Sequence, residues 1–237
     1  MKLVIGNQKS YLEKKEIDSF KQVIKDVNKD NFILCPSSIY LNEFSDLGLL
    51  LGCQNVSKYD KGATTGELSC EQIKSIGVNF CIVGHSERRQ LFNETIEDTK
   101  LKVSKLLENC MTPILCVGET KEERDNLKTR EIVLNEIEGA LDGLNEELLN
   151  NIIIAYEPIW SIGTGVIPSN PEIEEITKAI KEFLYKKYNC NNKVLYGGSV
   201  SCKNIDELNL IDIVDGYLIG GASTKANELI EIIKKCE

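Results

Sequence analysis

The stretch "NPEIEEITKAIKEFLYKKYNCNNKVLYGGS", residues 170–199, contains both periodicities from which the fold is read. In its first part Ile173, Ile176, Ile180 and Leu184 recur on one face of a 3.6-residue helix. Ser169 and Glu172 form a capping box at its start, with Pro171 in the first turn. The period then disappears. KVLY is a continuous apolar run closed by Gly197 and Gly198, the pattern of a short strand buried on both faces of a parallel sheet. A helix feeding such a strand is one repeat of an α/β fold.

Runs of the same kind recur along the chain: KLVIGN (2–7), NFILCP (31–36), LLLGCQN (49–55), FCIVGH (80–85), PILCVGE (113–119), NIIIAYEP (151–158), KVLYGG (193–198) and GYLIGG (216–221). Most are separated by stretches of helical periodicity. The last of these stretches is expected to bury Leu229, Ile230 and Ile233, with Lys234 and Lys235 at its end. Eight strand–helix units in 237 residues predict a closed (β/α)8 barrel, eight parallel strands surrounded by helices, for which ~250 residues is typical. A doubly wound open sheet is the alternative, but no G-x-G-x-x-G follows the first run. No linker or low-complexity tract divides the chain, so residues 1–237 are expected to form one domain.

Composition narrows the function classes. A net charge of −9 without a Lys/Arg cluster argues against a nucleic-acid surface. It also means that an anionic ligand needs a locally built positive site. MKLVIGNQKS has no apolar stretch of signal-peptide length and no run approaches a membrane span, which points to the cytoplasm. Nine scattered cysteines without a C-x-x-C, several inside apolar runs, read as buried free thiols rather than disulfides or a zinc site.

Chemistry-bearing residues gather where the runs end. Asn7, Lys9, Ser37, Gln54, Asn55, His85, Glu119, Glu157, Gly198, Ser199, Gly220 and Gly221 all follow an apolar run, and in a parallel barrel those ends share the rim that carries active sites. His85 is the only histidine in the chain. Glu157, beside Pro158 and Trp160, sits where desolvation makes a carboxylate a stronger base; position alone leaves an ion pair equally open. Residues 158–165, apolar in the middle with Gly163 and Gly165 near the far end, have the make-up of a lid. The glycine pairs after runs seven and eight let backbone N–H groups approach an anion, and a helix start is expected from Thr224 onward. Lys9 supplies positive charge. Glu87 and Glu119 read as ion-pair partners of Arg88, Arg89 or Lys121.

With those residues in place the chain resembles the triosephosphate isomerase family along nearly its whole length. "AYEPIWSIGTG" and "CIVGHSERR" are its most specific signatures, supported by "GNQKS", "GATTGE", "PILCVGE", "YGGSV" and "LIGGAS". The resemblance implies interconversion of dihydroxyacetone phosphate and D-glyceraldehyde 3-phosphate in a cytoplasmic homodimer, with no metal or organic cofactor. It implies Glu157 as the base, His85 as the electrophile at the carbonyl oxygens and Lys9 as the cation facing the enediolate. Asn7 binds substrate, and Gly163, Ser199, Gly220 and Gly221 donate to its phosphate. By the same resemblance Glu87 contacts the site from just beyond His85, and residues 54–67, from Gln54 to Glu67, reach into a partner subunit. The family is itself the reference case of a carboxylate base beside an imidazole kept neutral by a helix N-terminus. Gln8 and Thr64 stand where the family commonly has aromatics, and the chain is somewhat short. Another sugar-phosphate-binding barrel enzyme, a lyase or synthase, would share the glycines without needing the lid beside a sole histidine. A non-catalytic phosphate binder would be expected to have lost Lys9, His85 or Glu157.

Overall fold

The computed structural model describes residues 1–28 and 30–237. Strands β1 (Leu3–Asn7), β2 (Phe32–Cys35), β3 (Leu50–Cys53), β4 (Phe80–Val83), β5 (Thr112–Val117), β6 (Ile153–Tyr156), β7 (Lys193–Tyr196) and β8 (Gly216–Ile219) pair in sequence order, all parallel. β8 returns to β1 with Leu3 opposite Gly216 and Gly6 opposite Ile219, which closes the barrel. The expected (β/α)8 architecture is the one observed, with each apolar run supplying one strand.

The continuous runs follow from a core with two layers. Ile5, Ile33, Cys35, Ile82, Ile114, Cys116, Ile153, Ala155, Leu195 and Leu218 fill the barrel interior. Their neighbours in sequence, such as Val4, Leu34, Val83, Leu115 and Tyr196, point outward into a shell shared with the helices. Both faces of each strand are therefore apolar, and the alternation of a half-exposed strand is absent. The nine cysteines are all present as thiols, most of them buried in one layer or the other.

The helices that matter for the site are α1 (Lys14–Ile24), α2 (Cys70–Ser75), α3 (Ser86–Phe92), α4 (Ile96–Glu108), α5 (Lys121–Asp125), α6 (Thr129–Leu141), α7 (Asn170–Tyr188), α8 (Ile205–Leu208) and α9 (Ala226–Lys235). Helix α7 starts at the expected capping box, Ser169 with Glu172, and buries Ile173, Ile176, Ile180 and Leu184. Two expectations need correction. Helix α9 buries Leu229, Ile232 and Ile233, an i, i+3, i+4 set that leaves Ile230 only half-buried at its margin. It begins at Ala226, because Gly221–Thr224 is taken up by a single 3₁₀ turn. Among the described residues no helix is long and apolar enough to cross a membrane.

Candidate active site

Asn7, Lys9, His85, Glu157, Gly163, Ser199, Gly220 and Gly221 line one cavity of about 660 Å³ at the carboxyl ends of the strands. These residues are spread along the sequence, and barrel closure brings all eight together.

His85 follows β4 as the N-cap of α3, with its backbone still outside the helical region at φ −53°, ψ 139°. Its Nδ1 accepts the backbone N–H of Glu87 at 3.2 Å. A ring nitrogen that accepts a hydrogen bond carries no proton, so this bond assigns the neutral tautomer with its proton on Nε2. Nε2 faces Oε1 of Glu157 at 3.1 Å, and the two side chains are only 7% and 3% exposed. The start of α3 thus selects the tautomer of the imidazole and leaves Nε2 facing Glu157.

Glu157 follows β6, where the backbones of β5 and β6 run unusually close. Its N–H donates to Val117 O at 2.7 Å, and a Cβ added at Gly118 would lie 1.7 Å from the Glu157 carbonyl oxygen. Only glycine fits there. The second carboxylate oxygen accepts the backbone N–H of Ser86 at 3.3 Å, the first N–H of α3. Among the described residues no Lys or Arg forms an ion pair with Glu157, so of the two readings open for it the ion pair is not the one the geometry gives.

Lys9 adopts a left-handed backbone, φ +50°, a conformation that costs a non-glycine residue roughly 1–3 kcal/mol. Polar side chains hold it there. Asn7 Oδ1 accepts the Lys9 N–H at 3.0 Å, and the Gln54 amide donates to Lys9 O at 2.8 Å and to Cys35 O at 3.0 Å. The ammonium of Lys9 pairs with Glu87, which is not part of that cavity's lining. Glu87 was expected to pair with Arg88, Arg89 or Lys121. It does not, because Arg88 is taken by Glu94 and Arg89 by Glu136. Its position beside Lys9 agrees instead with the contact that the resemblance implied.

Glu119 also departs from expectation. It lies outside the cavity, buried beneath the base of the segment 158–165, and one of its oxygens accepts from Trp160 Nε1 at 2.8 Å and from Tyr156 OH at 3.2 Å. Burial pushes its carboxyl above the usual range, against the opposing pull of those hydrogen bonds. Arg124 stacks over the indole of Trp160 at 4.2 Å. The segment itself turns through Gly163 and Gly165, both with φ of +70° or more, which favour glycine. Gly165 N–H donates to Ser199 Oγ at 3.3 Å, and Ser199 Oγ donates to Ser161 O at 2.8 Å. With that hydroxyl proton engaged, what Ser199 has left to offer an anion is its backbone N–H.

Two groups escaped the sequence reading. Ser161 and Tyr196 meet under the segment at 3.3 Å. Glu94 gathers Gly84 N–H, Arg88 and Lys102 around one buried carboxylate. A polar residue following an apolar run would have flagged neither, because Tyr196 lies within its run and Ser161 and Glu94 sit in connections.

The model of the triosephosphate isomerase family matches residues 2–236. The chain belongs to that family. It is 37% identical to the triosephosphate isomerase of Francisella philomiragia over 99% of this chain and 96% of that one. It is 38% identical to that of Francisella tularensis over the same shares. The triosephosphate isomerase of Alkaliphilus oremlandii is 37% identical, over 98% of both chains. Where triosephosphate isomerases commonly carry an aromatic, Gln8 is 1% exposed and donates to Ser223 O at 3.4 Å. It thereby ties β1 to the turn at Gly221–Thr224, while its Oε1 is buried without a partner among the described residues. Thr64, the other departure, lies in the loop 54–67, where Glu67 N–H donates to its carbonyl at 3.0 Å.

Proposed function

We propose that this chain interconverts dihydroxyacetone phosphate and D-glyceraldehyde 3-phosphate, as one barrel domain of a cytoplasmic homodimer. The observation that carries the reading is the meeting of Glu157 Oε1 and the protonated Nε2 of His85 at 3.1 Å inside the cavity. A carboxylate and a neutral imidazole that share one small space can move protons on carbon and on oxygen of the same substrate.

Glu157 takes a proton from C1 of dihydroxyacetone phosphate, and the electron pair moves into a C1–C2 double bond. The C2 carbonyl oxygen receives the Nε2 proton of His85 as its charge develops. His85 then recovers a proton from the C1 hydroxyl, and Glu157 returns its proton to C2. Protons and electrons balance with no external group. Lys9 lowers the energy of the enediolate by facing its charge within a low-dielectric site, where such attraction is far stronger than in water. Asn7 holds the loop that presents Lys9. The phosphate is assigned to the backbone N–H groups of Gly163, Ser199, Gly220 and Gly221, which give this acidic chain a local site for a dianion.

Residues 54–67 are assigned to the dimer contact. Their base is anchored by Ser57 N–H to Leu68 O at 2.8 Å, and by Lys58 to Asp98 and Lys102 to Asn55. Beside the loop a second cavity of about 370 Å³ opens between Lys9, Gln54, Glu87 and Phe92, a space suited to the same loop of a second copy. A coupled assay with D-glyceraldehyde 3-phosphate tests the activity; no turnover at micromolar enzyme refutes it.

A further inference from the structure

We infer that the hydroxyl of Ser161 is a clip that joins the residues on either side of the lid's tip, 162–165, making Ser161 a positioning residue for the isomerisation although it touches no substrate. Ser161 is wholly buried and ends the 3₁₀ turn Ile159–Ser161 where the lid leaves the barrel. Its Oγ donates to Val166 O at 2.7 Å, on the side where the lid returns. A hydroxyl has one proton, so the second contact of that oxygen, with Tyr196 OH at 3.3 Å, has the phenol as donor. The result is a two-bond chain from β7 through Ser161 to Val166. Burial pushes the Tyr196 phenol up to about 12, so it remains a donor throughout the neutral range.

The remaining polar atoms of Ser161 serve the same segment. Its N–H donates to Pro158 O at 2.8 Å, and its carbonyl accepts from Ser199 Oγ at 2.8 Å and from Thr164 Oγ1 at 3.1 Å. Pinning both ends of a short loop to one buried oxygen lowers the entropy lost when Gly163 is ordered over an anion. The lid is thereby partly prepaid for closure. Without the hydroxyl, Val166 O loses its donor and Tyr196 OH its acceptor, and the lid spends more time undocked.

This inference rests on the isomerase reading, and its test separates the two. Trp160, the single tryptophan of the chain, lies next to Ser161 and reports on the segment without any substrate. Ser161→Ala, Tyr196→Phe and the double variant are compared with wild type by acrylamide quenching of Trp160, by kcat, and by methylglyoxal formed per isomerisation, with thermal melts to establish folding. Each single variant is expected to raise the quenching constant and to increase the methylglyoxal fraction about three- to tenfold, the net worth of one hydrogen bond. Because Tyr196 acts through Ser161, the double variant should show no more than the Ser161→Ala effect. Wild-type quenching and product ratio in a folded Ser161→Ala protein overturn the clip, as do summed effects in the double variant. A wild type without isomerase turnover overturns the functional reading instead, and the substrate-free quenching arm still decides the clip.

Discussion

Glu94 and Lys102 are paired at 2.6 Å with their side chains 2% and 7% exposed, so the ion pair is almost completely withdrawn from water. Two charges in that situation recover their desolvation cost only if every remaining site is bonded. Glu94 is further bonded by Arg88 at 2.6 Å and Gly84 N–H at 3.2 Å, and Lys102 donates also to Asn55 Oδ1 at 2.8 Å. The cluster therefore ties three things together: the turn before His85, helix α4, and the base of the loop 54–67. Burial alone would raise the Glu94 carboxyl; Lys102 and Arg88 outweigh it and hold the carboxyl below its ordinary value of 4.5.

Removing one partner of such a pair leaves a buried charge alone. Glu94→Gln is expected to destabilise the fold by about 3–5 kcal/mol at neutral pH. The sign with pH follows from the depressed carboxyl. Its contribution is fully present above the ordinary glutamate range and is lost as pH falls through the lower folded value. The gap in melting temperature between wild type and Glu94→Gln should thus close progressively below about pH 4.5. Calorimetry from neutral pH downward measures it. A constant gap would assign the effect to packing.

How much of this was legible beforehand depended on range. The strands were, because both faces of Ile33–Leu34 or Ile114–Leu115 are buried and the apolar run is continuous whatever lies around it. His85, Glu157 and Lys9 were, because a strand end in a parallel barrel fixes the rim on which a residue stands. Partners were not. Glu157 meets Ser86 across 71 positions and Trp160 meets Glu119 across 41, so which donor reaches which acceptor depends on barrel closure. The same holds for Glu87, whose nearest cations in sequence, Arg88 and Arg89, point away to Glu94 and Glu136 while Lys9 arrives from β1. The burial of Ile232 in place of Ile230 is a milder case, since both fit one helical stripe and only the neighbouring packing separates them.

The base admits a direct test. Glu157→Asp withdraws the carboxylate by one methylene, and roughly 1 Å of misplacement costs ~10²-fold. Turnover is expected to fall at least ~10²-fold while the melting temperature stays close to wild type. Steady-state kinetics beside a thermal melt decide it. Near wild-type turnover would remove Glu157 from the role of base.

The loop 54–67 should hold a dimer in the free enzyme. Its outer residues are exposed, Tyr59 by 55%, and Phe92, which lines the second cavity beside Gly66 and Glu67, is 64% exposed. Apolar side chains clustered around one loop mark an association surface. Sedimentation equilibrium at micromolar protein should give twice the chain mass of 26.6 kDa. Replacing residues 60–66 by a short Gly-Ser turn should give a folded monomer with much reduced kcat. A fully active monomer of the unaltered chain would refute the assignment.

If residues 158–165 act as a lid, its purpose is chemical as well as steric. An enediolate phosphate left open to water expels its phosphate, and water in the site weakens the attraction of Lys9 for the developing charge. On the proposed assignment of Gly163 to the phosphate, closure is driven by the substrate's own phosphate, because Gly163 lines the cavity where the segment lies over it. Gly163 and Gly165 supply the turns, while Trp160 is anchored below to Glu119 and stacked by Arg124, so a closing movement would be confined to the few residues between. Deleting residues 162–164 leaves Glu157, His85 and Lys9 in place and removes the cover alone. Isomerisation should then fall steeply while methylglyoxal and inorganic phosphate rise per turnover of dihydroxyacetone phosphate. The ratio of elimination to isomerisation is the quantity to measure, because it separates escape of the intermediate from slower formation. A lowered rate with an unchanged ratio would show that the enediolate forms and decays just as well without a cover, and the segment would then be a surface loop.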